Sequence, residues 1–131
     1  MPMYELNVST TFDAAHFLRD YEGRCSRMHG HTWTVEVTLA GEELGPSHLL
    51  VDFNDVKQLL DRLLDQYDHA CLNETPPFDE ISPTSENLAR SFFESLEKEV
   101  GGLAQDIHLL RVRVAESSNT SATYYPALPT P

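Results

Sequence analysis

Basic residues are scarce in this chain. Nine lysines and arginines stand against 21 aspartates and glutamates, which leaves a formal net charge of −12 over 131 residues. Such a field repels a phosphate backbone, so general nucleic-acid binding is excluded as a function class. Cysteine is scarce too. Cys25 and Cys71 are too few for a disulfide scaffold and are expected to be thiols. No apolar run approaches the ~18 residues that span a membrane. The N-terminal Met1–Glu5 carries neither a basic nor an apolar segment that would direct export. A cytoplasmic protein with no membrane partner is the expectation. Against these absences, roughly a quarter of the residues are Leu, Ile, Val or Phe, above the range of disordered chains. The length fits one domain over residues 1–131. Six histidines in so small a chain stand out.

Apolar periodicity divides the chain. Tyr4, Leu6, Val8, Phe12 and Ala14 alternate with polar residues, the period of a half-buried strand. Trp33, Val35, Val37 and Leu39 predict a second strand, broken by Gly41 to Pro46. Helical spacing follows over residues 53–67, with Val56, Leu59, Leu60, Leu63, Leu64 and Tyr67 in one stripe. Thr84 is a suitable N-cap for a second helix bearing Leu88, Phe92, Leu96 and Val100, which Gly101-Gly102 stops. Leu110, Val112 and Val114 predict a third strand, and residues 122–125 a short fourth. The proline-rich tail, residues 126–131, cannot pair as an interior strand and is expected to be flexible. The order β-β-α-α-β-β predicts an α+β fold: an antiparallel sheet with two helices on one face. Four strands under two helices leave open sheet edges, so self-association through those edges is expected.

Each of three histidines has the parity of the apolar residues on its own strand. His29 and His31 are odd, like Trp33 and Val35; His16 is even, like Phe12 and Ala14. Residues two apart on a strand face one side, so all three imidazoles should point inward near strand ends. Three neutral imidazoles with one open position suit catalytic Zn²⁺; hydrogen-bonded core histidines would share the same pattern. His48 and His108 lack such company and are read as non-functional.

Four further features carry chemistry. Cys25 sits in a loop with Arg19, Arg24 and Arg27, where cations favour the thiolate. It fits a nucleophile or general base, a fourth zinc ligand or an inert loop thiol. Cys71, beside Leu72, is read as a buried packing residue. Asp68-His69 suits acid–base work, or else decorates a helix C-terminus. Glu116 continues the apolar parity of Val112 and Val114. An inward carboxylate needs donors, which a flat heterocycle with two adjacent N–H groups would supply; a strand-end carboxylate reaching solvent needs none. Thr84-Ser85-Glu86 fits a plain helix cap, or hydroxyls and free N–H groups that help hold a ligand.

Taken together these segments resemble a known family. Phe12-x-x-Ala15-His16, Cys25-x-x-x-His29-Gly30-His31, Asp52-Phe53, Tyr67-Asp68-His69, Leu72-Asn73, Pro83-Thr84-Ser85-Glu86-Asn87 and Glu116 occur in that order. The pattern resembles the 6-pyruvoyltetrahydropterin synthase / 6-carboxytetrahydropterin synthase family. The resemblance implies the tunnelling fold, whose subunits join strands around a barrel. It implies a homohexamer of two trimers with sites at subunit interfaces. It also implies Zn²⁺ on His16, His29 and His31, with Cys25, Asp68 and His69 as catalytic groups. Glu116 would anchor a pterin ring, assisted by Thr84 and Ser85. The three-residue gap between Cys25 and His29 is that of the carboxy-forming branch. That branch converts 7,8-dihydroneopterin triphosphate to 6-carboxy-5,6,7,8-tetrahydropterin, acetaldehyde and triphosphate, towards queuosine and other 7-deazapurines. The alternatives are the pyruvoyl-forming reaction, which only eliminates triphosphate, and a non-catalytic zinc-stabilised binding module. Arg19, Arg24 and Arg27 would offset the acidic shell for a triphosphate, with Arg27 assigned to the substrate. Ser26 and Trp33 depart from the usual pattern.

Overall fold

A computed structural model describes residues 3–127. The expected flexible tail lies mostly outside them. The chain runs β1 (Tyr4–His16), β2 (His29–Gly41), α1 (Phe53–Leu64), β3 (Ala70–Cys71), α2 (Ser85–Gly101), β4 (His108–Ala115) and β5 (Ser121–Tyr124). One five-stranded sheet results, in the order β3-β1-β2-β4-β5. It departs from the expected all-antiparallel four strands in one respect: the two-residue β3 is an added strand, and it pairs parallel to β1. The α+β class and both helices stand as expected.

Both helices start on a side-chain cap, that of α2 on the expected Thr84. Asp52 accepts from the Asn54 N–H, and the Thr84 hydroxyl oxygen accepts from the Asn87 N–H at 3.1 Å. These caps satisfy N–H groups that the first turn leaves free. Helix α1 buries Val56, Leu59, Leu60 and Leu64, and α2 buries Leu88, Ala89, Phe92, Phe93, Leu96 and Val100. Tyr67 is buried just beyond α1 rather than within it. The apolar stripes meet the inward residues of the sheet in one core. Its aromatic centre has Phe12 stacked on Trp33 and edge-on to Phe92, both at 6.1 Å. Such pairs contribute about 0.5–1.5 kcal/mol each beyond burial. Gly41 ends β2 where a Cβ would meet Leu50 Cδ1 at 2.8 Å and Ile107 Cδ1 at 3.0 Å. A side chain there would push both of these side-chain ends aside.

One parity expectation fails. In β4 it is Leu109 that is buried, while Leu110 is half-buried. The β2–β4 register shifts between Thr38 and Leu39, pairing Thr38 with Arg111 but Leu39 with Leu109. The extra residue on β4 inverts the alternation before it; Val112 and Val114 keep the expected inward face.

Both sheet edges are open among the described residues. Tyr4 to Phe12 pair on one side only, with β2, and β5 pairs only with β4. No described helix is long and apolar enough to cross a membrane.

Candidate metal centre and its surroundings

Strand register assembles the histidines. In the β1–β2 ladder Phe12 faces Trp33, Ala14 faces His31 and His16 faces His29. Residues opposed in an antiparallel pair share a face, so one step of register places His16 against His29 and diagonal to His31. The ring centroids lie 4.5 Å (His16–His29), 5.3 Å (His16–His31) and 4.8 Å (His29–His31) apart. One ligand atom from each of the three lies within 4.8 Å of the others. His16 is buried; His29 and His31 are half-buried at the rim.

The donors are arranged as a metal requires. His16 Nδ1–H donates to the Pro83 carbonyl at 2.8 Å, and His29 Nδ1–H to the Arg27 carbonyl at 2.7 Å. A carbonyl only accepts, so the proton sits on Nδ1 and Nε2 keeps its lone pair. The Nε2 atoms of His16 and His31 are buried without a partner. Burial lowers the His16 pKa, against the Pro83 hydrogen bond that raises it; the charges of His29 and His31 lower it further. Burial also lowers that of His31, against the Glu116 charge. Neutral imidazoles with buried, unpartnered ring nitrogens suit a borderline cation such as Zn²⁺. Trp33, wholly buried, packs edge-on beneath His16 and His31. His48 and His108 lie outside the cluster.

Glu116 comes to the same place. It follows β4 directly, and its Oε2 lies 3.6 Å from His31 Nε2 and 3.9 Å from His16 Nε2. The carboxylate read as inward from parity therefore faces two of the three histidines.

Cys25 is half-buried in a single 3₁₀ turn, Arg24–Ser26. Its carbonyl accepts from the Leu18 N–H at 2.7 Å, which folds the loop back beside the end of β1. The arginines divide. Arg19 donates to the carbonyls of Phe78 (3.0 Å), Asp79 (3.2 Å) and Asn73 (3.4 Å), so it ties this loop to the segment after β3. Arg24 and Arg27 are exposed and make no ion pair among the described residues. Asn73, buried, closes the same seam: its side chain accepts from the Phe17 N–H and donates to the Phe17 carbonyl. Neither Arg19's engagement nor Asn73's bridge was visible in the sequence, because both span more than 50 residues.

Asp68 and His69 touch each other, with His69 Nδ1 at 3.0 Å from Asp68 Oδ2; they are not part of the three-histidine ligand cluster, though His69 and His31 line one open cavity. Asp68 Oδ1 accepts from the Asp13 N–H at 2.9 Å, and the His69 N–H donates to the Asp13 carbonyl. The pair thus occupies both edge groups of Asp13 on β1. The Asp13 carboxylate joins Asp68 and His69 in a second, exposed group. The Asp13 N–H above all holds the Asp68 carboxyl below its ordinary value, against desolvation, and the His69 contacts lower it further. His69 has φ 58°, a left-handed conformation that costs a non-glycine residue about 1–3 kcal/mol. Asp13 was missed in the sequence because its parity is that of a solvent-facing strand residue. Cys71 is not the buried packing residue expected. It is half-buried, its Sγ 3.7 Å from Met28 Sδ, because β3 lies at the sheet edge with no layer above it.

Thr84 and Ser85 adjoin the centre through Pro83, whose carbonyl holds His16. Both are half-buried; Thr84 is occupied as the α2 cap. Ser82, unremarked in the sequence, has a buried hydroxyl with no partner.

Comparison with known proteins follows the same lines. A profile described as 6-pyruvoyl tetrahydropterin synthase matches residues 5–127. The 6-carboxy-5,6,7,8-tetrahydropterin synthase of Bacillus subtilis is 35% identical, over 94% of this chain and 86% of that protein. The protein of the same name from Synechocystis is 35% identical over 88% of each. The solved structure of Caenorhabditis elegans 6-pyruvoyl tetrahydropterin synthase superposes with a TM-score of 0.80, over 97% of this chain and 98% of that one, at 26% identity.

Proposed function

Because the chain belongs to the 6-pyruvoyl tetrahydropterin synthase family, whose members are lyase-type enzymes, we propose that it is a 6-carboxy-5,6,7,8-tetrahydropterin synthase. The reaction consumes 7,8-dihydroneopterin triphosphate and water, and releases 6-carboxytetrahydropterin, acetaldehyde and triphosphate. The convergence of His16, His29 and His31, with two buried Nε2 atoms left without partners, carries this reading. The name shared by the Bacillus and Synechocystis relatives favours the carboxy-forming reaction, as does the spacing Cys25-x-x-x-His29. The likeness to the Caenorhabditis structure favours a second reading, the pyruvoyl-forming elimination of triphosphate.

His16, His29 and His31 would hold Zn²⁺ through Nε2. Bound there, the ion would supply Lewis-acid polarisation of the oxygens on the substrate's side chain. The protein's own groups do the rest. Cys25 takes or returns a proton at a side-chain carbon, and the Asp68–His69 pair relays protons within hydrogen-bond reach of the substrate. Glu116 accepts the two adjacent N–H groups of the pterin ring, with Thr84 and Ser85 beside it. Arg27 faces the triphosphate. Arg19 leaves that set, since its guanidinium is committed to three carbonyls.

Asp68 and His69 form a ligand group distinct from the three histidines, although His69 and His31 line one open cavity within the chain. A ring built through the open edges of β1 and β5 would further allow a neighbouring copy to bring its own Asp68–His69 pair to the metal centre. A homohexamer of two trimers, each subunit one domain, is the assembly we infer, in the cytoplasm and in a route to queuosine. The test is incubation of zinc-loaded protein with 7,8-dihydroneopterin triphosphate while acetaldehyde is assayed. Stoichiometric acetaldehyde is expected; triphosphate release without it would move the protein to the pyruvoyl-forming reaction.

A further inference from the structure

Glu116 is placed for more than a pterin. Its Oε2 faces His31 Nε2 at 3.6 Å and His16 Nε2 at 3.9 Å, and neither distance is that of a hydrogen bond. The His16 Nε2 bears a lone pair, since Nδ1–H is spent on the Pro83 carbonyl. A carboxylate oxygen offers lone pairs only. His16 Nε2 and the carboxylate therefore face one another as two acceptors, which repel unless a cation lies between them. Ligands about 2.0–2.2 Å from a tetrahedral zinc stand about 3.4 Å from each other, and both spacings lie close to that.

We propose that Glu116 is the fourth ligand of the metal in the substrate-free protein, and that it leaves that position when a pterin takes its carboxylate. The exchange rests on the pterin reading above; the resting ligand does not. The side chain is about one-third exposed, at 32%, and lies past the last residue of β4, so it has both the freedom and the room to turn. The centre then has four protein ligands when empty and three plus an open position when loaded. That is the difference between a structural and a catalytic zinc site. It would keep stray anions off the metal until the ring that belongs there has bound.

Cobalt(II) substitution and zinc competition against a chelator test this, both without substrate. Glu116→Gln is expected to shift the cobalt d–d bands and to weaken Zn²⁺ binding by at least the roughly 10- to 100-fold that loss of a supporting residue around a metal costs. Glu116→Asp, which keeps the charge but withdraws it by one methylene, should also shift the bands and weaken binding. A cobalt spectrum unchanged in Glu116→Gln would overturn the proposal whatever the affinity, since the carboxylate would then be only a neighbouring charge. So would a Glu116→Asp protein that behaves as the parent. Saturation with unsubstituted pterin, read by its own fluorescence, should move the parent spectrum towards that of Glu116→Gln. A saturated protein with an unmoved spectrum would overturn the exchange. A protein that binds no pterin would sink the substrate reading and the exchange with it, leaving the resting ligand to the first two measurements.

Discussion

Trp33 stands edge-on to His16, with ring centroids 4.8 Å apart and planes at 87°. It meets His31 in the same manner at 5.2 Å, and its Nε1–H donates to the Ala14 carbonyl at 3.2 Å. The indole is a rigid floor that limits the rotamers of two imidazoles. Trp33→Leu is therefore expected to weaken Zn²⁺ binding about 10-fold, as loss of a supporting residue around a metal does. Phe12 stacks on Trp33 but pairs with no imidazole ring. Phe12→Leu should destabilise the core by about 1–3 kcal/mol and leave zinc affinity within about twofold. Chelator titration and urea unfolding of both variants separate the two effects; equal losses of affinity would reduce Trp33 to ordinary packing.

Cys25 sits in the turn just before the carbonyl that orients His29. As an acid–base group and not a ligand, it can be removed without emptying the centre. Cys25→Ala should keep its zinc, measured by metal analysis, and lose about 10²- to 10⁴-fold in turnover. Zinc lost together with the thiol would make Cys25 a ligand.

The two arginines Arg19 and Arg27 should part in their effects. Arg19→Ala removes hydrogen bonds to three carbonyls and is expected to lower stability by about 1–3 kcal/mol. Arg27→Ala, at an exposed position, should change stability by less than about 0.5 kcal/mol. It should instead raise KM for the triphosphate substrate, by a factor that shrinks as salt is added. An unchanged KM at low salt would remove Arg27 from the binding role.

What could be read from the sequence was what repeats. Alternation through β1 and β2 placed His16, His29 and His31 on the covered face, and the parity of Val112 and Val114 carried Glu116 to them. What could not be read depends on contacts between distant segments. Two residues, Ala70 and Cys71, are too few to show a period, so β3 leaves no signature in the sequence and Cys71 beside Leu72 reads as a core residue. The bulge that exchanges Leu109 for Leu110 is a property of the pairing with Thr38 and Leu39, not of β4 alone. Asp13 meets Asp68 across 55 residues, and only the folded edge of β1 reveals that contact. The motif Asp68-His69 was visible as a motif, but its separation from the three histidines was not.

The Asp68–Asp13 contact gives the protein a pH dependence with a definite sign. The Asp13 N–H, and then His69, hold the Asp68 carboxyl below its ordinary value of 3.8 in the folded chain. A group depressed on folding binds fewer protons in the native state than in the unfolded one. Its contribution to stability is therefore complete above the unfolded value and is lost as pH falls through the folded one. Asp68→Asn keeps an oxygen that can accept from the Asp13 N–H but carries no charge. The parent should thus unfold at a higher urea concentration than Asp68→Asn at about pH 7, and the gap should narrow as pH is lowered through and below the ordinary value of 3.8. Paired urea titrations across that range read it directly. A gap that stays constant with pH would mean that the carboxylate's charge has no part in holding the pair against β1.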